Sequence, residues 1–203
     1  MRLLEGTLTR MRWLIGAGVL GGLVPCSFGQ LIDSDFHYYV CGNVSHSLLI
    51  LGSSDVRAGG GFSLAVGRRD PKLRLLRSIE GELIYEGYYV ETSTSHPSIE
   101  FPAVRTQAFG FLTTVRYRWQ FTPAMNYFAD IGFGIQFSNH SSEDLRLNNN
   151  TTPTLGMGLE FRTSKTESFL IGTRVLHACN AGRTHPNPGE NLLQWYIGIR
   201  YKH

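Results

Sequence analysis

The chain has 203 residues, 42% of them hydrophobic, 17% charged and 12% aromatic, with a formal net charge of +3. That length suits one domain with its own core, and no clustered basic face with interleaved aromatics points to nucleic acid. Three cysteines are too few for a disulfide framework.

Residues 1–29 read as a secretory signal. Arg2, Arg10 and Arg12 precede an apolar stretch from Trp13 to Val24, and Ser27-Phe28-Gly29 supplies small residues for cleavage. The apolar stretch falls short of the roughly 20 residues a spanning helix needs, and Pro25 argues against lipidation at Cys26. The domain expected after the signal is 30–203. It carries 16 basic against 15 acidic side chains, so the pI of 8.8 overstates its basic character. Cys41 and Cys179 remain, and an oxidising compartment permits a disulfide between them.

From residue 55 onward the apolar pattern has period 2 rather than 3.6. The first strand belongs within 31–57, where either "FHYYVCGN" or "SHSLLILG" fits. A weak alternation follows at 61–69. At 78–91, Ile79, Leu83, Tyr85 and Tyr89 oppose Glu80, Glu82 and Glu86. At 105–119, Phe109, Phe111, Val115, Tyr117 and Trp119 oppose Gly110, Thr114, Arg116 and Arg118. At 127–137, Ile131, Phe133 and Ile135 oppose Asp130, Gly132 and Gly134. At 155–162, Leu155, Met157, Leu159 and Phe161 oppose Gly156, Gly158, Glu160 and Arg162, and the pattern continues at 168–179 and 191–201.

A soluble sandwich would bury the apolar face, whereas a transmembrane barrel turns it to lipid and packs small and charged residues inside. The segments have the length of tilted membrane strands. The polar faces mix Gly with both signs of charge, and aromatics lie near strand ends as interfacial girdles do. Together with the export signal, these features predict an all-β, eight-stranded antiparallel transmembrane β-barrel of the outer membrane. Eight strands leave an interior filled by side chains, which argues against a pore.

Connections 70–77, 120–126 and 164–167 are short; 92–104, 139–154 and 180–190 are long and polar. Short turns face the periplasm and long loops the exterior in such barrels, so strand 168–179 runs outward. "LNNNTTP" at 147–153 reads as a solvated loop.

The run "VLHACNAGRTHPNPGENLLQWYIGIRY" at 175–201 holds the chemistry. Residues two apart share a strand face, so His177 and Cys179 continue the lipid-facing stripe of Phe169, Ile171, Thr173 and Val175. On the last strand, Asn191 shares the outward face of Leu193 and Trp195, and Glu190 turns inward. Polar groups facing lipid are costly and usually functional. A metal site is disfavoured, because His-x-Cys lacks further ligands.

This run resembles the signature of the lipid A 3-O-deacylases of the PagL type, an acyloxyacyl hydrolase family. Their pattern is His-x-Ser-Asn, then Ala/Gly-Gly and a Pro-Asn-x-Gly turn. The resemblance extends more loosely over 57–203, through "SIEGELIYEGYYVE" and "FADIGFGIQFS". It implies a barrel that hydrolyses the 3-position acyl ester of lipid A in the outer leaflet and releases a 3-hydroxy fatty acid. The implied partners are lipopolysaccharide and the membrane, with no nucleic acid and no cofactor; monomer and homodimer stay open. By position, His177 is the implied general base, Cys179 the nucleophile, and Asn180 with the Gly182 amide the oxyanion hole.

Two positions depart from the family pattern. Cys179 stands where the family has Ser, and Asn191 where it has an acidic residue; Glu190 takes that place only with a one-residue shift. Cys-His-Asn is a chemically coherent triad, since a thiolate–imidazolium pair needs only an orienting carboxamide. The rival reading is a catalytically inactive barrel of the same type, serving as a structural or lipid-interacting protein.

Overall fold

A computed structural model describes residues 36–76, 78–94, 99–100, 102, 105–185 and 187–202. The expected signal at 1–29 lies outside the described residues. The strands are β1 (Phe36–Ser47), β2 (Arg57–Arg69), β3 (Ile79–Thr94), β4 (Arg105–Thr122), β5 (Met125–Ser138), β6 (Asn149–Thr151), β7 (Thr154–Arg162), β8 (Glu167–Ala178) and β9 (Glu190–Lys202). β6 and β7 both pair with β5, one above the other. They form one strand interrupted at Thr152-Pro153, where proline cannot donate to the ladder. All pairings are antiparallel, β1 joins β9, and β4 joins β5. The result is the closed eight-stranded barrel the alternation predicts, with no open edge.

β1 settles the choice within 31–57. It is built on "FHYYVCGN" and runs on through Val44 to Ser47, while Leu48 to Gly52 lie beyond it. The tight ends of the barrel are a 3-10 turn at Pro71–Leu73, capped by the Asp70 side chain accepting from the Lys72 amide, and the turns at 123–124 and 163–166. One expectation fails: part of the segment 147–153 is not loop but β6, and Thr151 bridges to Cys179.

The two faces of the wall divide as the period-2 pattern demands. Val44, Leu64, Ile131, Phe133, Leu155, Met157, Trp195 and Ile197 are all exposed on the outside. A contiguous apolar belt of this extent suits lipid rather than water. Inside, charge is paired almost throughout. Arg118 donates to Glu82 (2.9 Å) and Glu160 (2.5 Å), and Arg200 donates to the other Glu160 oxygen (2.8 Å). His37 Nδ1 and the Tyr39 hydroxyl complete the shell of Glu82 Oε1 at 2.9 and 2.7 Å. Higher up, Arg116 grips Asp130 through two bonds of 2.7 Å while its guanidinium lies 3.9 Å over the Phe128 ring. Buried charges are tolerable only when their partners satisfy them. Each lumen carboxylate here meets a fixed guanidinium.

Above these pairs, toward the long loops, the lumen closes with an apolar cluster of Tyr88, Val90, Ala108, Leu112, Leu145, Leu176 and Ala178. Leu145 reaches it from the loop after β5. In the same loop, Asp144 accepts from the Ser53 and Ser54 hydroxyls and from the Ser54 and Asp55 amides. This ties the β1–β2 and β5–β6 loops together beside the rim.

Candidate active site at the long-loop rim

The β8–β9 ladder pairs His177 with Asn191 and Ala178 with Glu190. Antiparallel partners face the same side of a sheet, so the carboxamide meets the imidazole on the outer surface. His177 Nδ1 and Asn191 Oδ1 are 2.7 Å apart. An amide oxygen only accepts, so Nδ1 carries a proton, and in the neutral ring Nε2 is the nitrogen with the lone pair. Asn191 is itself held, because its Nδ2 donates to the Ile50 carbonyl at 2.9 Å and the Asn191 carbonyl accepts from the Leu48 amide. The segment after β1 thus covers Asn191, which is only 1% exposed although it stands on the lipid-facing side.

Glu190 lies on the other face. Its carboxylate is buried in the lumen and sits 3.1 Å from Arg57 Nε. The structure therefore brings Asn191, not Glu190, to His177.

Gly189 fixes the ring from a second side. Its φ is +75°, and a Cβ built there would lie 2.5 Å from His177 Cε1 and 3.0 Å from Nε2. Only glycine leaves room for the imidazole and adopts this backbone without strain.

Cys179 follows the last residue of β8. Its amide and carbonyl are bridged to Thr151 by bonds of 3.0 and 2.8 Å, and its Sγ lies 3.1 Å from the Thr151 hydroxyl. His177 Nε2 has no hydrogen bond among the described residues, and the thiol rests on Thr151 rather than on the imidazole. Both cysteines are free, so the disulfide considered between Cys41 and Cys179 does not form. Alternation explains why. Cys41 lines a cavity in the lumen among Tyr39, Arg116 and Tyr196, whereas Cys179 is on the outer rim.

The turn after Cys179 departs from the implied oxyanion arrangement. Asn180 is fully buried, and its Nδ2 donates to the Leu145 carbonyl (3.0 Å) and the Thr184 hydroxyl (2.6 Å). Its backbone amide donates to Asn187 Oδ1 at 3.1 Å. The Asn180 side chain is thus committed to holding loops together and is not presented to a substrate in this conformation. Its carbonyl accepts from the Arg183 amide at 3.2 Å, closing a tight turn with Ala181 and Gly182 at φ +56° and +75°. The Gly182 amide has no partner among the described residues, so the turn leaves it available as a donor.

Sequence reasoning missed Thr151, the Ile50 carbonyl and Gly189. The "PNPG" turn was a visible signal for Gly189. Nothing in the composition of 147–153 marked Thr151, and a main-chain contact such as that of Ile50 leaves no trace in residue type.

The family model for lipid A 3-O-deacylase (PagL) matches residues 57–200. Among solved structures, the outer membrane enzyme PagL is 18% identical, with 81% of this chain and 99% of that one covered at a TM-score of 0.55. Neisserial surface protein A is 11% identical, covering 83% and 97% at a TM-score of 0.51. OprG, an outer membrane protein from Pseudomonas aeruginosa, is 8% identical, covering 84% and 97% at 0.51. These likenesses show the barrel fold. No curated protein sequence gives a match.

Proposed function

Since the chain belongs to the lipid A 3-O-deacylase (PagL) family, we propose that it is an outer-membrane esterase that removes the 3-position acyl chain of lipid A through a Cys179-His177-Asn191 site. The observation that carries this reading is the His177 Nδ1–Asn191 Oδ1 contact of 2.7 Å, itself braced by the Ile50 carbonyl. A buried, doubly held carboxamide that fixes one imidazole tautomer is what nucleophilic catalysis requires of its third member. A carboxylate there would stabilise an imidazolium better, and a thiol needs that less than a hydroxyl does.

In the reaction, the Cys179 thiol passes its proton to His177 Nε2 and the sulfur attacks the ester carbonyl carbon. The Gly182 amide faces the developing oxyanion; a donor of this kind is worth about 3 kcal/mol. The C–O bond then breaks, and His177 returns the proton to the departing sugar oxygen. Water, deprotonated by the same imidazole, cleaves the thioester, releases the 3-hydroxy fatty acid and restores the thiol. Asn180 shapes the turn that presents Gly182. No cofactor enters.

Site and substrate match in location. The residues stand on the outer wall at the end with the long loops, the end that an exported barrel with such loop lengths turns toward the cell exterior. There an ester between sugar and acyl chain lies at the height of the rim. The exposed side chains of Leu49 and Leu51 flank the Ile50 carbonyl and offer acyl chains an apolar contact. Lipid A extracted from cells with and without the protein tests the assignment by mass spectrometry; a species lighter by one 3-hydroxyacyl group is expected only with it.

One observation favours a second reading. Cys179 Sγ contacts Thr151 and not His177, as in a barrel that keeps the scaffold without the chemistry and serves as a structural or lipid-interacting protein. Unchanged lipid A in that comparison supports this reading.

A further inference from the structure

The barrel's opposite mouth, between the short turns, holds a recess of about 270 Å³ that the site above does not use. Five cationic side chains line it, Arg69, Arg162, Lys165, Arg200 and Lys202, against a single carboxylate, Glu167. Alternation puts most of this charge on the inner face. Arg162, Ser168 and Arg200 form one cross-strand row over β7, β8 and β9, and Arg200 joins Glu160 in the lumen. Glu167, one residue from Ser168, takes the other face of β8.

The existing partners do not exhaust these cations. Glu80 pairs with Arg69 at 3.2 Å through Nη2, and Glu160 divides its two oxygens between Arg118 and Arg200. Arg162, Lys165 and Lys202 have no ion pair among the described residues. Two guanidinium nitrogens, Arg69 Nε and Arg200 Nε, are buried with no hydrogen-bond partner among the described residues, while Arg200 Nη1 and Nη2 meet Glu160 and His37. Arg200 is only 7% exposed. Buried donors without acceptors are uncommon in folded proteins, and an ordered water or a bound ion is one way to satisfy them. Like charges gathered in a concave, low-dielectric mouth focus potential on whatever anion enters.

We propose that this recess binds a phosphate-class oxyanion at the mouth opposite the catalytic rim, the end that the proposed orientation turns to the periplasm. Arg69 and Arg200 contribute positive charge to the recess, Arg200 held in place by Glu160 and His37. Arg162, Lys165 and Lys202 close over the anion from the rim. The inward placement favours an anion arriving through water, although an inner-leaflet phospholipid headgroup carries the same chemistry. The inference is independent of the deacylase reading.

The full-length folded barrel in uncharged detergent, titrated calorimetrically with inorganic phosphate, should show saturable binding to one site that weakens as sodium chloride is raised. The triple variant Arg162→Gln, Lys165→Gln, Lys202→Gln removes exposed charges outside the lumen's paired network. It should keep its sheet spectrum and bind phosphate about tenfold more weakly. A second arm repeats the titration in phosphatidylcholine nanodiscs with and without phosphatidylglycerol. Competition by phosphatidylglycerol assigns the site to a headgroup, and equal phosphate affinity assigns it to a soluble anion. Absence of saturable binding in both arms, or a folded triple variant that binds like the parent, overturns the proposal.

Discussion

Thr151 and Cys179 face one another in an isolated antiparallel bridge, and the threonine hydroxyl lies 3.1 Å from the thiol. The nucleophile of the proposed reaction is therefore held by a threonine hydroxyl and not by its base. Replacing Thr151 with Val keeps the branched shape and removes the hydroxyl. The thiol then loses its one side-chain partner among the described residues, and alkylation of Cys179 by iodoacetamide in the folded barrel should accelerate about fivefold, the equivalent of one modest hydrogen bond. An unchanged rate would mean that the hydroxyl does not hold the sulfur.

Gly189→Ala probes the other side of the site. The added methyl group would meet the imidazole at 2.5 Å, on a backbone with φ +75°. The ring must swing away from Asn191, and a displacement of this size commonly costs a hundredfold in rate. Deacylation should fall by about that factor while the barrel still migrates as a folded, heat-modifiable species. Full activity would show that the ring position in the structure is not the productive one.

Much of this arrangement is legible in the sequence, and the reasons are physical. A period of 2 assigns every residue of a strand to one of two faces once a few are known. Counting outward from Leu193 and Trp195 was enough to set Asn191 outside and Glu190 inside, and the ladder pairs them so with His177 and Ala178. β1 was harder, because its inner face carries His37, Tyr39 and Cys41 beside an outer face of Tyr38, Val40 and Val44. With apolar bodies on both faces, the alternation is blurred. β6 is three residues of Asn and Thr ahead of a proline, too short and polar to show a period. The place of Asn180 in the motif points to catalysis, but its side-chain hydrogens go to the Leu145 carbonyl and Thr184, partners that only the folded loops bring near.

The outer wall makes a quantitative prediction. Ile131 is 59% exposed on the apolar belt, so Ile131→Arg should destabilise the barrel in bilayers by about 2–4 kcal/mol in reversible urea unfolding, if the position lies near the bilayer midplane. A loss within about 0.5 kcal/mol would place Ile131 at an interface or outside lipid.

Inside the wall the expectation reverses from packing to pairing. Glu82→Gln leaves Arg118 with one carboxylate fewer in a site where both side chains are almost wholly buried. Breaking a buried pair from one side costs about 3–5 kcal/mol. Glu80→Gln, whose pair with Arg69 is only half-buried, should cost under about 1 kcal/mol. Equal losses in the two variants would contradict the view that the buried lumen network, rather than charge at large, holds the barrel.

The central claim is that Cys179 performs the chemistry with Asn191 orienting His177. Mass spectrometry of lipid A incubated with the purified barrel tests it most directly. The wild-type protein and Glu190→Ala should both remove a 3-hydroxyacyl chain; Cys179→Ala and His177→Ala should remove essentially none, and losing both should cost little more than losing either. If wild type leaves lipid A intact while the Cys179→Ser, Asn191→Glu double variant deacylates it, the natural site has lost its chemistry and the claim is wrong.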